Sequence, residues 1–235
     1  MSALALKNFS LSFDGAKAVD GLNLTLQPGE VYALLGPNGA GKTTTLNMIL
    51  GFLKPDSGSI EIDGVDAVRD ALTARRAVAY LPETVMLQPN LSAVENLRYF
   101  ALLAGRKLDA ATARSLLDEA GLQAEAHGRR ADGFSKGMRQ KVGVAIALAK
   151  NAKVLLLDEP TSGLDASAAS DLSVLIRSSS QRGLAVLMAT HDLFRVKDVA
   201  HRLGILRAGR LMEERDAAAL GPVELERLYL ERLAA

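Results

Sequence analysis

The apolar run Val31-Tyr32-Ala33-Leu34-Leu35 leads directly into Gly36-Pro37-Asn38-Gly39-Ala40-Gly41-Lys42-Thr43, and a helical pattern begins at about Lys42. The loop satisfies the P-loop pattern G-x-x-x-x-G-K-[ST], with a buried strand before it and a helix after it. That context commits the chain to an α/β fold in which a helix N-terminus faces the end of a central strand. Glycines at 36, 39 and 41 let backbone N–H groups close on phosphate oxygens, and the helix dipole adds positive potential. Lys42 is placed to neutralise β- and γ-phosphates, and the Thr43 hydroxyl to ligate Mg²⁺. A loop that only turned a strand into a helix would need neither side chain at these spacings. Pro37, Asn38, Ala40 and Thr44 complete the candidate nucleotide-binding stretch.

A second strand supplies carboxylates. In Val154-Leu155-Leu156-Leu157-Asp158-Glu159 the apolar residues bury the strand, whose end delivers Asp158 to the crevice where α/β sheets bind ligands. Asp158 is read as a Mg²⁺ partner through water and Glu159 as a general base toward the attacking water. Taken alone, this segment also reads as an acidic strand end before the turn Pro160-Thr161-Ser162-Gly163; the P-loop tips the balance.

The rest of the chain sets the frame for these two segments. Alternating Leu22, Leu24 and Leu26 predict a strand before the Pro28-Gly29-Glu30 turn. The P-loop helix is expected to close at Gly51, followed by a turn over 54–58, a strand over 59–62, and another over 78–81. Between 92 and 150 the pattern turns helical: Ser92 with Glu95 makes a capping box, Asp109 caps a second helix stopped at Gly121, and Ser135 caps a third. Alternation resumes with a helix after Asp165, a strand over 184–189, a helix from about Asp192, a hairpin turning at Ala208-Gly209, and a terminal helix opened by Pro222. The expected division is a catalytic core with a β-subdomain over 1–84 and 151–220, a helical subdomain over 85–150, and a C-terminal helix over 221–235.

Composition narrows the partners. Within 235 residues, 28 basic against 27 acidic side chains give a net charge of +1, so no global field recruits nucleic acid. Absence of cysteine removes disulfides and thiolate metal sites, and three scattered histidines make no zinc site. The opening Met1 to Phe9 lacks the lead-in of a signal peptide, and no apolar run approaches the roughly 20 residues that span a bilayer. Action at a membrane would need another chain.

With these motifs in this order, the chain resembles the ATP-binding cassette family along nearly its whole length. Phe13 matches the aromatic position on which adenine stacks there, although a ring in an amphipathic strand also reads as core. Phe134-Ser135-Lys136-Gly137-Met138-Arg139-Gln140-Lys141 is similar to the family signature, and its Ser135 and Gly137 keep two of the signature's residues. Ser162-Gly163-Leu164-Asp165 matches the D-loop, and His191 the switch histidine that contacts γ-phosphate and attacking water. The resemblance implies a P-loop NTPase (RecA-like) core with an N-terminal antiparallel β-subdomain and an inserted helical subdomain. It also implies ATP and Mg²⁺ as cofactors. The signature faces the nucleotide of a second ATP-binding subunit, so two ATP molecules lie in a head-to-tail dimer.

Two departures stand out. Glu83, in Tyr80-Leu81-Pro82-Glu83, occupies the position where the family commonly has a glutamine, and its carboxylate can still approach Mg²⁺ or water there; Lys136 and Met138 replace signature residues. This pairing is similar to the exporter-type branch. The resemblance therefore implies the ATP-hydrolysing motor of a transporter, peripheral on the cytoplasmic face of the inner membrane, with a separate integral permease. Soluble cassette ATPases of chromosomes, repair or translation usually carry coiled coils, tandem cassettes or basic arms, none of which is present here. A soluble assembly ATPase of the iron–sulfur scaffold type is a further alternative, separated from the first by which proteins co-purify.

Overall fold

Alternating apolar residues pair the N-terminal strands around a common buried face. In the computed structural model, which describes residues 1–234, β1 (Leu4–Phe13) runs antiparallel to β2 (Ala16–Leu26), from Leu4 opposite Leu26 to Phe13 opposite Ala16. On its other side β1 pairs with β4 (Ser57–Ile62), which folds back on the two-residue β5 (Val65–Asp66), giving the order β2-β1-β4-β5. The expected turn over 54–58 is shorter than its composition suggests, because Ser57 and Gly58 already belong to β4. Ser57 pairs with Ser10 across a bulge, and a Cβ at Gly58 would stand 2.5 Å from the Lys7 and Asn8 carbonyl oxygens.

The second sheet holds the catalytic strands. Its order is β10-β9-β3-β8-β7-β6, with β3 (Val31–Leu35), β6 (Val78–Leu81), β7 (Val154–Asp158), β8 (Ala185–Thr190) and β9 (Arg202–Arg207) parallel and β10 (Arg210–Asp216) antiparallel at one edge. Every residue of β3, β7 and β8 is buried, as a parallel sheet covered on both faces requires. Residues alternate between two cores. Val31, Ala33, Leu35, Leu155 and Leu157 join the core built with α3 (Ala93–Leu103), α4 (Ala110–Glu119), α5 (Lys136–Lys150), α6 (Ala166–Gln181), α7 (Leu193–Val199) and α8 (Pro222–Ala234). Tyr32, Leu34, Val154 and Leu156 face the other, where α1 (Lys42–Ile49) lies between the two sheets. The fold is the expected α/β P-loop NTPase type.

Local chemistry starts the helices where the sequence places them. Ser92 and Glu95 form the reciprocal capping box of α3, and Asp109, Ser135, Asp165 and Asp192 each accept an N–H bond at the start of α4, α5, α6 and α7. Helix α2 (Ala71–Arg76), capped by Asp70, is an addition to the expected elements. Helix α5 lies close against β6 because Gly143 has no side chain: a Cβ there would sit 2.2 Å from Leu81 Cδ1. No helix among the described residues is long and apolar enough to cross a membrane.

Candidate nucleotide site

The loop from β3 to α1 is held in shape by backbone approach. A Cβ on Gly36 would fall 2.4 Å from the Leu206 carbonyl oxygen, and one on Gly41 2.4 Å from that of Ala18, at a φ of +106°. Gly39 has open space around it but a φ of +79°. Two glycines are thus required by packing and the third by its dihedral. The loop curls around a cleft of about 250 Å³ lined by Ala18, Pro37 to Thr44, Glu83, Asp158 and Glu159. Ala18 is the lining residue that sequence reasoning missed, and no motif flags it.

Lys42 is buried, and its ammonium donates to the carbonyls of Gly36 at 2.6 Å and Pro37 at 3.2 Å. Its Nζ also lies 3.4 Å from Glu159 Oε1. Thr43 Oγ1 donates to Asp158 Oδ1 at 3.2 Å and Tyr80 donates to Asp158 Oδ2 at 3.4 Å. Burial pushes the Asp158 carboxyl above its ordinary range, with Glu159 adding to the effect, although the Thr43 bond works against it. Burial also pushes the Tyr80 phenol up to about 12, so it stays a donor at neutral pH.

Glu159 leaves the strand with a φ of +46°, a left-handed conformation uncommon outside glycine. That bend separates it from Asp158 and turns its carboxylate across the strand ends. Oε2 accepts from Thr190 Oγ1 at 3.1 Å and lies 2.9 Å from His191 Nδ1. Oε1 is buried with no hydrogen-bond partner. An acceptor left without a hydrogen bond beside a lysine, on a residue that lines the cleft, fits a water to be deprotonated once the lysine turns to phosphate. The donor set next to it, a hydroxyl and a carboxylate oxygen, fits a hard cation such as Mg²⁺.

These features are the fingerprints of one family, and the comparisons agree: the model of the ABC transporter family matches residues 19–162. The chain belongs to the ABC transporter family. A Nod factor export ATP-binding protein I from Burkholderia pseudomallei is 40% identical over 204 residues, covering 86% of this chain and 67% of the relative. A fructose import ATP-binding protein from Bifidobacterium longum is 38% identical over 220 residues, 90% of this chain and 42% of its own. Among solved structures, an ATP-binding cassette in a dimeric post-hydrolysis state bound to ADP and Pi matches with a TM-score of 0.80 and 28% identity, over 91% of this chain and 98% of that one. As an ATP-binding subunit of this family the chain binds ATP, and ATP hydrolysis is the family's reaction.

Of the other residues singled out in the sequence, Ser135, Gly137, Asp165 and Phe13 lie outside the cleft lining and Glu83 is part of it. Ser135 is exposed and accepts from the Met138 N–H at 3.2 Å, while Gly137 sits where a Cβ would be 3.1 Å from Ala168 Cβ. Asp165 is exposed and caps α6 through the Ala168 N–H at 2.8 Å. Phe13, at the tip of the β1–β2 hairpin, is 47% exposed, so its ring is not core. Glu83 lines the cleft, but its Oε1 accepts from Ser162 Oγ at 2.8 Å.

Proposed function

We propose that this cassette binds two MgATP in a head-to-tail homodimer and uses their hydrolysis to drive a separate membrane-spanning subunit for export, from the cytoplasmic face of the inner membrane. The observation that carries the reading is the Glu159 carboxylate, with Oε2 tied to Thr190 and His191 and Oε1 free toward Lys42. In this reading the P-loop amides of Gly36 to Thr44 and the Lys42 ammonium hold the β- and γ-phosphates. Lys42 turns from the Gly36 and Pro37 carbonyls to phosphate oxygens. Thr43, Asp158 and, from the cleft edge, Glu83 would hold Mg²⁺, which when bound would supply neutralisation of phosphate charge. Glu159 Oε1 takes the proton of the attacking water, and His191 holds the other oxygen and contacts the γ-phosphate. Phe13 stacks on the adenine.

Ser135, the amides that follow it, Gly137 and Asp165 supply the other half of the partner's site. Ser135 and Asp165 are exposed, Gly137 is half-buried, and all three lie outside their own chain's cleft, as that arrangement requires. The working units are the core with its β-sheet over 1–84 and 151–220, the helical unit over 85–150 that relays nucleotide state to the permease, and a C-terminal helix from 221. Export follows the pairing of Glu83 with the SKGM signature and the Nod factor relative.

Trapping the dimer tests the core of the proposal. Glu159→Gln keeps the shape but removes the proton acceptor, so ATP and Mg²⁺ accumulate a dimer with two nucleotides, visible by size exclusion with nucleotide analysis. Adding Ser135→Arg prevents that accumulation by obstructing the partner's ATP; a dimer that still forms sinks the head-to-tail arrangement. Purification from detergent-solubilised membranes is expected to bring an integral membrane subunit. Soluble scaffold proteins in its place would support an assembly ATPase, and uptake in place of efflux by the reconstituted complex would reverse the direction.

A further inference from the structure

The two departures from the family pattern are 53 residues apart in sequence, at 83 and 136, yet they meet in space. Glu83 Oε1 lies 4.0 Å from Lys136 Nζ while accepting from the Ser162 hydroxyl at 2.8 Å. The lysine also lies across the Ser162-Gly163 turn: a Cβ on Gly163, whose φ is +65°, would stand 3.6 Å from Lys136 Nζ. One turn further along α5, Gln140 Nε2 reaches the Glu83 main-chain carbonyl at 3.5 Å, so one helix face approaches Glu83 at both side chain and backbone.

We propose that Lys136 and Ser162 are positioning residues for the Glu83 carboxylate, so that the lysine in the signature and the glutamate beside the cleft work as one unit. A carboxylate only accepts hydrogen bonds, and here it has one donor, the Ser162 hydroxyl on the turn after β7, and one cation, the Lys136 ammonium on α5 at 4.0 Å. Both partners are partly exposed, so the ion pair alone contributes little to stability. Its consequence is geometric: it fixes where the carboxylate stands relative to Lys42, Thr43 and Asp158, with which Glu83 lines the cleft. A glutamine at 83 would still accept from Ser162 but would exert no charge on the ammonium. The contact also joins the edge of a chain's own cleft to the segment holding Ser135. This inference rests on the cleft being the ATP site proposed above.

The test is a cycle on the full chain: Lys136→Met, which keeps the stem and removes the charge, in the native and Glu83→Gln backgrounds, with Lys136→Arg as the conservative control. Lys136→Met is expected to lower kcat about two- to tenfold with Glu83 present and to have little effect with glutamine there, while ATP Kd stays constant. Lys136→Arg restores the rate. The same fold-change in both backgrounds, no change included, overturns the proposal, as does a loss of ATP affinity that accounts for the rate. Amide hydrogen exchange at Leu164, whose N–H bonds the Thr161 carbonyl at 3.1 Å, is read in parallel without nucleotide. It is expected to quicken with Lys136→Met only in the Glu83 background. Equal quickening in both backgrounds refutes the contact. Since exchange needs no turnover, a chain that hydrolyses no ATP overturns the reading of the cleft and the catalytic half of this proposal, while exchange still decides the contact.

Discussion

The cleft beside β3 and β7 and the helix starts at Ser135 and Asp165 carry the same device, N–H groups at a helix N-terminus, in opposite states of completion. Around the cleft, Lys42 and Asp158 are buried and bonded within the chain, and two glycines are locked by carbonyl approach. At the starts of α5 and α6 the Ser135 and Asp165 side chains are exposed and accept only from their own helix amides. The first region is chemically complete in one chain. The second is a pair of helix caps outside that cleft, which is what half of a shared site would need.

If that contrast is right, damage to the cleft shows in a single chain. The largest effect is expected from Glu159→Gln: turnover falls about 10²–10⁴-fold, the usual cost of losing a general base, while ATP binding survives. Single-turnover hydrolysis checks it, and a wild-type rate would remove Glu159 as the base. Lys42→Ala comes next. Loss of a charged donor to phosphate is expected to weaken ATP binding about ten- to a hundredfold, read by titration with a fluorescent nucleotide. Unchanged affinity would move the phosphate site elsewhere.

The cleft should also show the stability cost of its charge. Burial raises the Asp158 carboxyl, so the folded chain favours the protonated form more than the unfolded chain does. The resulting penalty is absent below the ordinary carboxyl value of 3.8, accumulates as pH rises toward the folded value, and is complete above it. Asp158→Asn therefore is expected to raise stability by about 0.5–2 kcal/mol at neutral pH and to give no gain in acid. Urea unfolding at both pH values decides this.

The same contrast explains what the sequence disclosed. The strand-loop-helix at 31–49, the apolar β7 and the helix caps at Ser92, Asp109 and Ser135 were legible because each depends on residues close in sequence. Which core each residue of β3 faces was not, since Leu34 and Leu35 read alike while facing different cores. Helix α2 escaped because six residues hold too little periodicity. In the cleft, the residue types were readable but the left-handed bend at Glu159 was not. Nor was the meeting of Glu83, Ser162 and Lys136, because it depends on how α5 packs on β6 across Gly143.

The smallest expected effect separates the two regions most cleanly. Ser135→Ala removes the acceptor that caps α5 through the Met138 N–H, and loss of such a cap typically costs about 1 kcal/mol. Because Ser135 lines no part of its own chain's cleft, ATP affinity of the monomeric variant should match that of the native chain when titrated at low protein concentration. Turnover should nevertheless fall, and the deficit should track the concentration at which dimers form rather than nucleotide affinity. Mixing the variant with Lys42→Ala chains distinguishes the regions further. In such a heterodimer one composite site holds both defects and the other holds neither, so about half the native activity per dimer should return from two impaired parents. A monomer that loses ATP affinity on Ser135→Ala, or a mixture with no recovery, would place the signature serine in its own chain's site and erase the distinction between complete cleft and half site.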